Sequence, residues 1–456
     1  MRTKRNNDQT EDDGAQSQTA ESDKLRARIE YVPIETLTTA RRNARRHPAE
    51  QIRQLMGAIE EFGIVTPLLV NADNQVIAGH GRLEALKRLG VTHAPVIPVT
   101  HLSPEQLRLY ALADNKIAEN AGWDEAVLRI EIAELRELDV DLSITGFETA
   151  EIDQLTIEPG FSLDAEPAAP IPPAAPVSRL GDIWDLGAHR LSCADMLQTG
   201  ALEAVVGSES VRASFTDPPF NVPVAGHVQV HNPHRHREFK MASGEMSPEQ
   251  YQEYLTRAFQ RTVDVSAEGS LHFICQDWRS LGPMTAAGAA VFSEHKALVV
   301  WTKTNAGMGS LYRSQHELIF LYKKGKSAHT NNIKLGRHGR NRTNVWAYPG
   351  ANAFGKGRDA ALAAHPTVKP TALVADALLD VTRPGDVVLD PFAGSGTIIL
   401  AAEKTGRRAR AVEIEPSFVD VAIQRWQAMT GKSATLAGSQ FDFATVAVQR
   451  SEERAL

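Results

Sequence analysis

Apolar positions along the chain follow two rhythms, and one stretch follows neither. Ile29-Glu30-Tyr31-Val32-Pro33-Ile34 opens with a short strand pattern, and Ile52, Leu55, Met56, Ile59 and Phe62 then repeat at helical spacing until Gly63 stops them. Leu68-Leu69-Val70 and Gln75-Val76-Ile77-Ala78 flank the turn-rich Asn71-Ala72-Asp73-Asn74, which predicts a hairpin. Gly79-His80-Gly81-Arg82 leads directly into a helix carrying Leu83, Leu86 and Leu89 up to Gly90. Further helices are predicted from Leu112 through a leucine-rich, charged segment to Leu155. Over 158–178 the periodicity disappears, and Pro170, Pro172, Pro173 and Pro176 favour extended backbone over a packed element. Beyond this linker, six strand patterns begin at Ala213, Leu271, Leu298, Leu318, Val387 and Ala409. Helical segments over 247–264, 371–382 and 397–405 alternate with several of them, the pattern of an α/β sheet covered on both faces.

The predicted organisation is therefore a polar tail over 1–25, an N-terminal unit over 26–157, a linker over 158–178 and a C-terminal unit over 179–456. With 456 residues, 42% of them hydrophobic, the chain can bury more than one core. Cys193 and Cys275 are the only cysteines, too few for a disulfide framework or a cysteine zinc site. The first 25 residues lack the apolar core of a signal peptide, and no apolar run approaches the roughly 18 residues needed to span a bilayer. A soluble cytoplasmic protein is expected.

A net charge of −7 argues at first against a nucleic-acid partner. Its distribution reverses that argument, because Lys296, Lys303, Arg313, Lys323, Lys324, Lys326, Lys334, Arg337, Arg340 and Arg342 share their stretch with one acidic residue, Glu317. An ordinary solvated surface is the plainer account of such a run alone; the neighbouring motifs favour DNA.

Two motifs carry the chemistry. After Val387-Val388-Leu389, the loop Asp390-Pro391-Phe392-Ala393-Gly394-Ser395-Gly396 opens a helix at Thr397, and its glycines let backbone approach a ligand closely. Glu413 closes the next strand, where a carboxylate can bind ribose hydroxyls. A tight structural turn explains the glycines equally well, and a dinucleotide site lacks its third glycine. The second motif, Thr216-Asp217-Pro218-Pro219-Phe220, follows a strand. Asp217 carboxylate and Pro218 carbonyl can both accept from an exocyclic amine, favouring a more tetrahedral nitrogen, while Phe220 stacks on a base rotated out of the duplex. Asp-Pro-Pro by itself is often only a rigid turn. Methylation at cytosine carbon 5 needs a thiolate to attack carbon 6, conventionally from a cysteine after proline in the enzymes that do this, and it is excluded because Ser192 and Ile274 precede the cysteines here.

Taken together, His365-Pro366-Thr367-Val368-Lys369-Pro370, the Asp390–Thr397 loop and Glu413-Ile414-Glu415 resemble the cofactor half of the permuted β class of DNA amino-methyltransferases. That resemblance implies a circularly permuted, Rossmann-like class I methyltransferase fold and S-adenosyl-L-methionine as cofactor. It implies Thr367, Lys369, Asp390, Phe392, Gly394, Gly396, Thr397 and Glu413 as cofactor residues, with Asp195 near the cofactor adenine. It assigns catalysis to Asp217, Pro218, Pro219 and Phe220, and the Asp-Pro-Pro-Phe form resembles adenine-N6 enzymes more than the Ser-Pro-Pro-Tyr of cytosine-N4 enzymes. The run from Ile29 to about His101 resembles the small α+β ParB/sulfiredoxin-like domain, with Gly79 and Arg82 matching the Gly-Glu-Arg-Arg box of the partition proteins and His80 and Gly81 departing from it. Gly79, Gly81 and Arg82 are thus a candidate phosphate site at a helix start.

Double-stranded DNA is the expected partner, with a homodimer allowed and no membrane. Lys303, Arg313, Lys334, Arg337, Arg340 and Arg342 are the expected recognition-segment contacts, and Arg235 and Arg237 lie near phosphates. His227, His231, His234 and His236 have no accompanying carboxylate or cysteine set, so no metal is expected. The alternatives are cytosine-N4 methylation and a silent DNA-binding adaptor acting through its N-terminal domain; intact Asp217, Phe220, Gly394, Gly396 and Glu413 argue against the latter.

Overall fold

Alternating and continuous apolar runs become strands of two separate sheets in the computed structural model, which describes residues 28–39, 44–138, 140–156, 170–221, 244–306, 311–333, 342–350 and 369–455. The chain divides into two units at Glu148/Thr149. In the first, β1 (Glu30–Pro33), β2 (Thr38–Thr39), β3 (Leu68–Val70), β4 (Gln75–Ala78) and β5 (His93–Pro98) form a mixed sheet in the order β1-β5-β3-β4-β2. The predicted hairpin is β3–β4, antiparallel across Asn71–Asn74, with Asn74 at positive φ. Ile34, Leu68, Val70, Val76, Leu83, Leu86 and Val96 build one core between this sheet and the helix His80–Arg88. The helix Ala49–Phe62 buries Ile52 but leaves Phe62 exposed, so its apolar face is narrower than its periodicity predicts.

The helix Pro104–Glu119 starts at Ser103, whose hydroxyl accepts from Gln106 N while the Gln106 side chain accepts from Ser103 N. This reciprocal cap satisfies two of the amide donors a helix start leaves open. The helix Glu125–Glu137 follows.

The second unit carries a ten-stranded sheet. Its strands are β6 (Ile183–Leu186), β7 (His189–Cys193), β8 (Val211–Thr216), β9 (Ser266–Gln276), β10 (Glu294–Thr302), β11 (His316–Lys323), β12 (Val345–Ala347), β13 (Val387–Asp390), β14 (Arg408–Glu413) and β15 (Thr435–Leu436). The spatial order is β12-β10-β11-β9-β8-β13-β14-β7-β6-β15. β9, β8, β13, β14 and β7 run parallel, and β11 is antiparallel between β9 and β10. β13 and β14 come late in the chain yet insert between β8 and β7, which is the permuted class I arrangement. All six predicted strand patterns are strands; β6, β7, β12 and β15 are additional.

Apolar side chains fill both faces of this sheet. The helices Thr371–Val381 and Thr397–Thr405 are almost wholly buried on one face with Trp184, Phe273, Trp301 and Trp426. On the other, the helix Pro248–Asp264 presents Tyr251, Tyr254, Leu255, Ala258 and Phe259 at helical spacing against Ile274, Met284 and Phe320.

The helix Thr149–Thr156, assigned above to the N-terminal unit, groups instead with the second. Asp153 accepts from both terminal nitrogens of the buried Arg407, at 2.6 and 3.0 Å, a two-point ion pair no local pattern announces.

Candidate active site

Parallel strands place their last residues along one edge, and ligands of such sheets bind beyond it. Here that edge gathers Asp390 at the end of β13, Glu413 at the end of β14, and Asp217 just past β8. Cys193 of β7 pairs with Glu413 in register, and Ala194 N donates to Glu413 O at 3.0 Å, so Asp195 follows immediately beside it.

On the cofactor side, the Glu413 carboxylate ties the glycine loop to its own strand. Its Oε2 accepts from Gly394 N and its Oε1 from Glu415 N, each at 2.8 Å, leaving each oxygen room for a second donor. Gly394 and Gly396 have positive φ, and a Cβ on Gly396 would stand 2.6 Å from Ala422 Cβ. Gly396 therefore serves the close approach of the loop to the helix Pro416–Thr430. The buried Arg425 of that helix donates to Ser395 O at 2.7 Å and to its hydroxyl at 3.0 Å. Thr397 donates to Lys369 O at 3.4 Å, and Asp390 Oδ1 accepts from Phe392 N at 3.0 Å.

Burial, reinforced by the charges of Asp217 and Glu413, pushes the Asp390 carboxyl up to about 7, although the amide of Phe392 opposes the shift. Burial also raises Glu413. A cationic ligand suits carboxylates held in that state. Tyr254, whose buried hydroxyl has no partner, lies with its ring 6.4 Å from Phe392. Its hydroxyl is held well above the ordinary tyrosine range by burial and then by the charges of Tyr251, Asp195, Glu245 and Glu413. Carboxylate acceptors, an unfilled hydroxyl and the Phe392 ring together fit a sulfonium nucleoside. Tyr254 and Arg425 were not singled out from the sequence, because each reads there as one more residue of an amphipathic helix.

On the catalytic side, the turn after β8 is braced from behind. Tyr251 donates to Pro219 O at 2.7 Å and is itself held by Gln276 at 2.8 Å, while Ser280 donates to Phe220 O at 3.3 Å. The Asn221 side chain bonds Met246 N and O, at 3.2 and 2.8 Å, and Gly244 N at 3.1 Å. Lys369, expected at the cofactor, donates its ammonium to Asp217 Oδ2 at 2.6 Å and stands 2.7 Å from Glu317 Oε1. Asp217 Oδ1 is buried without a partner. Burial pushes the Asp217 carboxyl up to about 6 against the opposing charge of Lys369, and Glu317 adds to the rise.

Asp217, Cys275 and Glu317 bring potential ligand atoms within 4.8 Å of one another, and the Lys369 ammonium already pairs with both carboxylates. Cys193 and Cys275 are buried and in no disulfide among the described residues, and burial raises the Cys275 thiol well above the ordinary range.

The basic run is only partly a surface. Lys303 donates to Glu317 Oε2 at 2.9 Å, its ammonium 4.7 Å from the Trp301 ring centre. Arg342 contacts Asp376 at 3.1 Å and Asp380 at 2.9 Å and stacks on Trp346. Both charges, expected at DNA, are engaged in ion pairs within the fold. Lys324 caps the carbonyls of Val263 and Ser266, and Arg313 donates to Ala306 O at 2.7 Å. Arg235, Arg237, Lys334, Arg337, Arg340, Thr367 and the four clustered histidines lie outside the described residues.

In the N-terminal unit, Gly79 at φ 98 ends β4 and starts the helix His80–Arg88. Gly79, Gly81 and Arg82 line a cavity of about 250 Å³ with Arg45, His47 and Asn115. His80 Nε2 is buried there without a partner, and burial, then the neighbouring His47, lowers the His80 pKa.

Comparison with known proteins matches 17–116 to the ParB N-terminal domain, 126–180 to the ParB-methyltransferase HTH domain and 211–424 to the DNA methylase family of N6 and N4 enzymes. The HTH match runs through the segment read above as a linker. The ParB-like nuclease domain-containing protein YnaK of Escherichia coli is 40% identical over 85 residues, 19% of this chain and 95% of that protein. The type II methyltransferase M.Cfr9I of Citrobacter freundii is 32% identical over 137 residues, 28% of this chain, and the aligned part spans 43% of that enzyme. Among solved structures, the M1.HpyAVI-SAM complex aligns with 52% of this chain and 97% of its own, at 19% identity and a TM-score of 0.37. The segment 211–424, which holds the Asp-Pro-Pro-Phe turn and the glycine loop on one sheet edge, is thus a DNA methylase domain of the N6/N4 family, a family that uses S-adenosylmethionine, and ParB-type domains precede it in the chain.

Proposed function

We propose that the chain transfers the methyl group of S-adenosylmethionine to the exocyclic N6 amine of adenine in double-stranded DNA. The observation that carries this is the division of the Asp217 carboxylate, with Oδ2 held by Lys369 and Oδ1 buried and unpaired at the edge shared with the glycine loop. The cofactor, when bound, supplies a methyl group on a positive sulfur. Asp390, Glu413 and Asp195 would favour that charge, and Phe392 and Tyr254 would line the site.

Asp217 Oδ1 accepts one N–H of the target amine, concentrating its lone pair on nitrogen. Phe220 stacks on the extruded base. Transfer would break the methyl–sulfur bond, with its electron pair left on a neutral thioether, as the carbon–nitrogen bond forms; the amine must then lose a proton, and a carboxylate near pKa 6 in a buried site is placed to take it at Oδ1. Adenine is preferred over cytosine because the motif is Asp-Pro-Pro-Phe. The same grip serves cytosine N4.

In the first unit, Gly79, Gly81 and Arg82 with Arg45 form a pocket for an anionic ligand at a helix start. Sequencing DNA from expressing cells with a method that reports both modified bases tests the central reading. N6-methyladenine at one recurring motif supports it; N4-methylcytosine alone would move the assignment to cytosine, and unmodified DNA would favour the silent adaptor.

A further inference from the structure

Glu317 is the one acidic residue between Lys296 and Arg342, and the fold buries it to 8% exposure. It enters the site because β11 is antiparallel: its first residues lie where the parallel strands end, with Glu317 opposite Trp301 of β10. There the side chains alternate in charge. Asp217 Oδ2 meets Lys369 Nζ at 2.6 Å, Lys369 meets Glu317 Oε1 at 2.7 Å, and Glu317 Oε2 meets Lys303 Nζ at 2.9 Å. The Trp301 ring lies under both ammonium groups, at 4.7 Å from Lys303 and 5.7 Å from Lys369.

The charges of these four groups cancel, which a buried cluster needs to avoid an uncompensated ion. An ammonium facing a single buried carboxylate gains most by bridging both its oxygens. A second carboxylate on its far side draws it away from that position, and here one Asp217 oxygen is left open.

We propose that Glu317 is a positioning residue for methyl transfer: it holds the Lys369 ammonium against one oxygen of Asp217, so that the other faces the target amine. This rests on the reading of the site as an amino-methyltransferase. Lys303 completes the arrangement by balancing Glu317.

The groups whose charges reach Asp217 are Lys369, Glu317 and Lys303. Asp390 on β13, Cys275 on β9 and Tyr251 on the helix Pro248–Asp264 feel its charge in return. Glu317 raises the Asp217 pKa and Lys303 lowers it, so removing either charge shifts Asp217 in opposite directions.

The test uses the full chain with Glu317→Gln and Lys303→Met, following methylation across pH, cofactor affinity by calorimetry, and titration of the Asp217 carboxyl by carbon-13 NMR against Asp217→Asn. For Glu317→Gln, kcat should fall about tenfold or more while cofactor Kd changes little, and the acid limb should move to lower pH. For Lys303→Met the limb should move to higher pH. A Glu317→Gln variant with wild-type kcat, or limbs and carboxyl titrations that do not move apart, overturns the proposal. If Glu317→Gln fails to fold, Lys303→Met decides by the same upward shift or its absence. If the wild-type protein methylates neither base, the amino-methyltransferase reading fails, and the carboxyl titration still shows separately whether Glu317 governs Asp217.

Discussion

Lys369 Nζ lies 2.6 Å from Asp217 Oδ2, across 152 residues of sequence, and this ammonium opposes the rise that burial imposes on the carboxyl's pKa. Asp217 must be ionised to accept from an amine, yet burial pushes it up to about 6 even with the ammonium beside it. Lys369→Met should therefore raise the Asp217 pKa further. The rate of methyl transfer falls as pH drops through that pKa, so the acid limb of kcat should move upward and activity at pH 7 should drop, with partial recovery in alkaline buffer. A pH–rate profile that keeps its wild-type limb would show that Lys369 does not act through Asp217.

Asp217→Ala removes the acceptor itself. Methylation should fall by roughly 10²–10³-fold or more, as for the loss of one preorganised polar group in a buried site. Cofactor affinity should stay close to wild type, because the glycine loop and Glu413 are separate from this side chain. Calorimetry beside single-turnover rates checks the split, and parallel loss of both would place Asp217 in the cofactor site instead.

The two loop glycines should fail differently. Gly396→Val adds a Cβ that would meet Ala422 Cβ at 2.6 Å, so it should destabilise the fold by about 1–3 kcal/mol. Gly394→Val places a branched residue at φ 51 in the loop whose amide bonds Glu413, and its main effect should be loss of cofactor binding in a protein that still folds. Urea titrations paired with binding isotherms distinguish these outcomes.

Binding a sulfonium beside Asp390 should release protons. The carboxyl stands near 7 in the ligand-free site, and a nearby cation favours its ionised form. At pH 7 at most about half a proton per site should leave on binding of S-adenosylmethionine, and less with S-adenosylhomocysteine, whose sulfur is uncharged. Calorimetry in buffers of different ionisation enthalpy measures the difference; equal proton release by both ligands would remove Asp390 from the cation's surroundings.

Asp153→Ala strands the buried Arg407 guanidinium, and breaking such a pair costs about 3–5 kcal/mol. A fragment starting at Thr149 should accordingly be more stable to urea than one starting at Arg179, although both contain the whole ten-stranded sheet. Equal midpoints would indicate that the helix Thr149–Thr156 adds nothing to the second unit.

Much of this molecule was legible from local order. Runs such as Val387–Leu389 and Leu318–Leu321 are apolar enough to be strands wherever they pack, and Gly394-Ser395-Gly396 and Asp217-Pro218-Pro219-Phe220 carry their chemistry within a few residues. Their place at one sheet edge follows from the parallel α/β rule.

Tertiary structure alone decided which charges meet. Lys369 in Thr-Val-Lys-Pro reads the same whether its ammonium turns toward a cofactor or a carboxylate, and Glu317 looks like an interruption in a basic surface until the antiparallel β11 brings it under Lys369. Lys303 and Arg342 read by their neighbours in sequence as part of a basic surface, and Asp153 as one residue of a charged helix, whereas their partners lie 14, 38 and 254 residues away. Periodicity records which side of an element is apolar and so determines the strands and helices; ion pairing under burial depends on distances of a few ångströms between separate elements, which exist only once the sheet has formed.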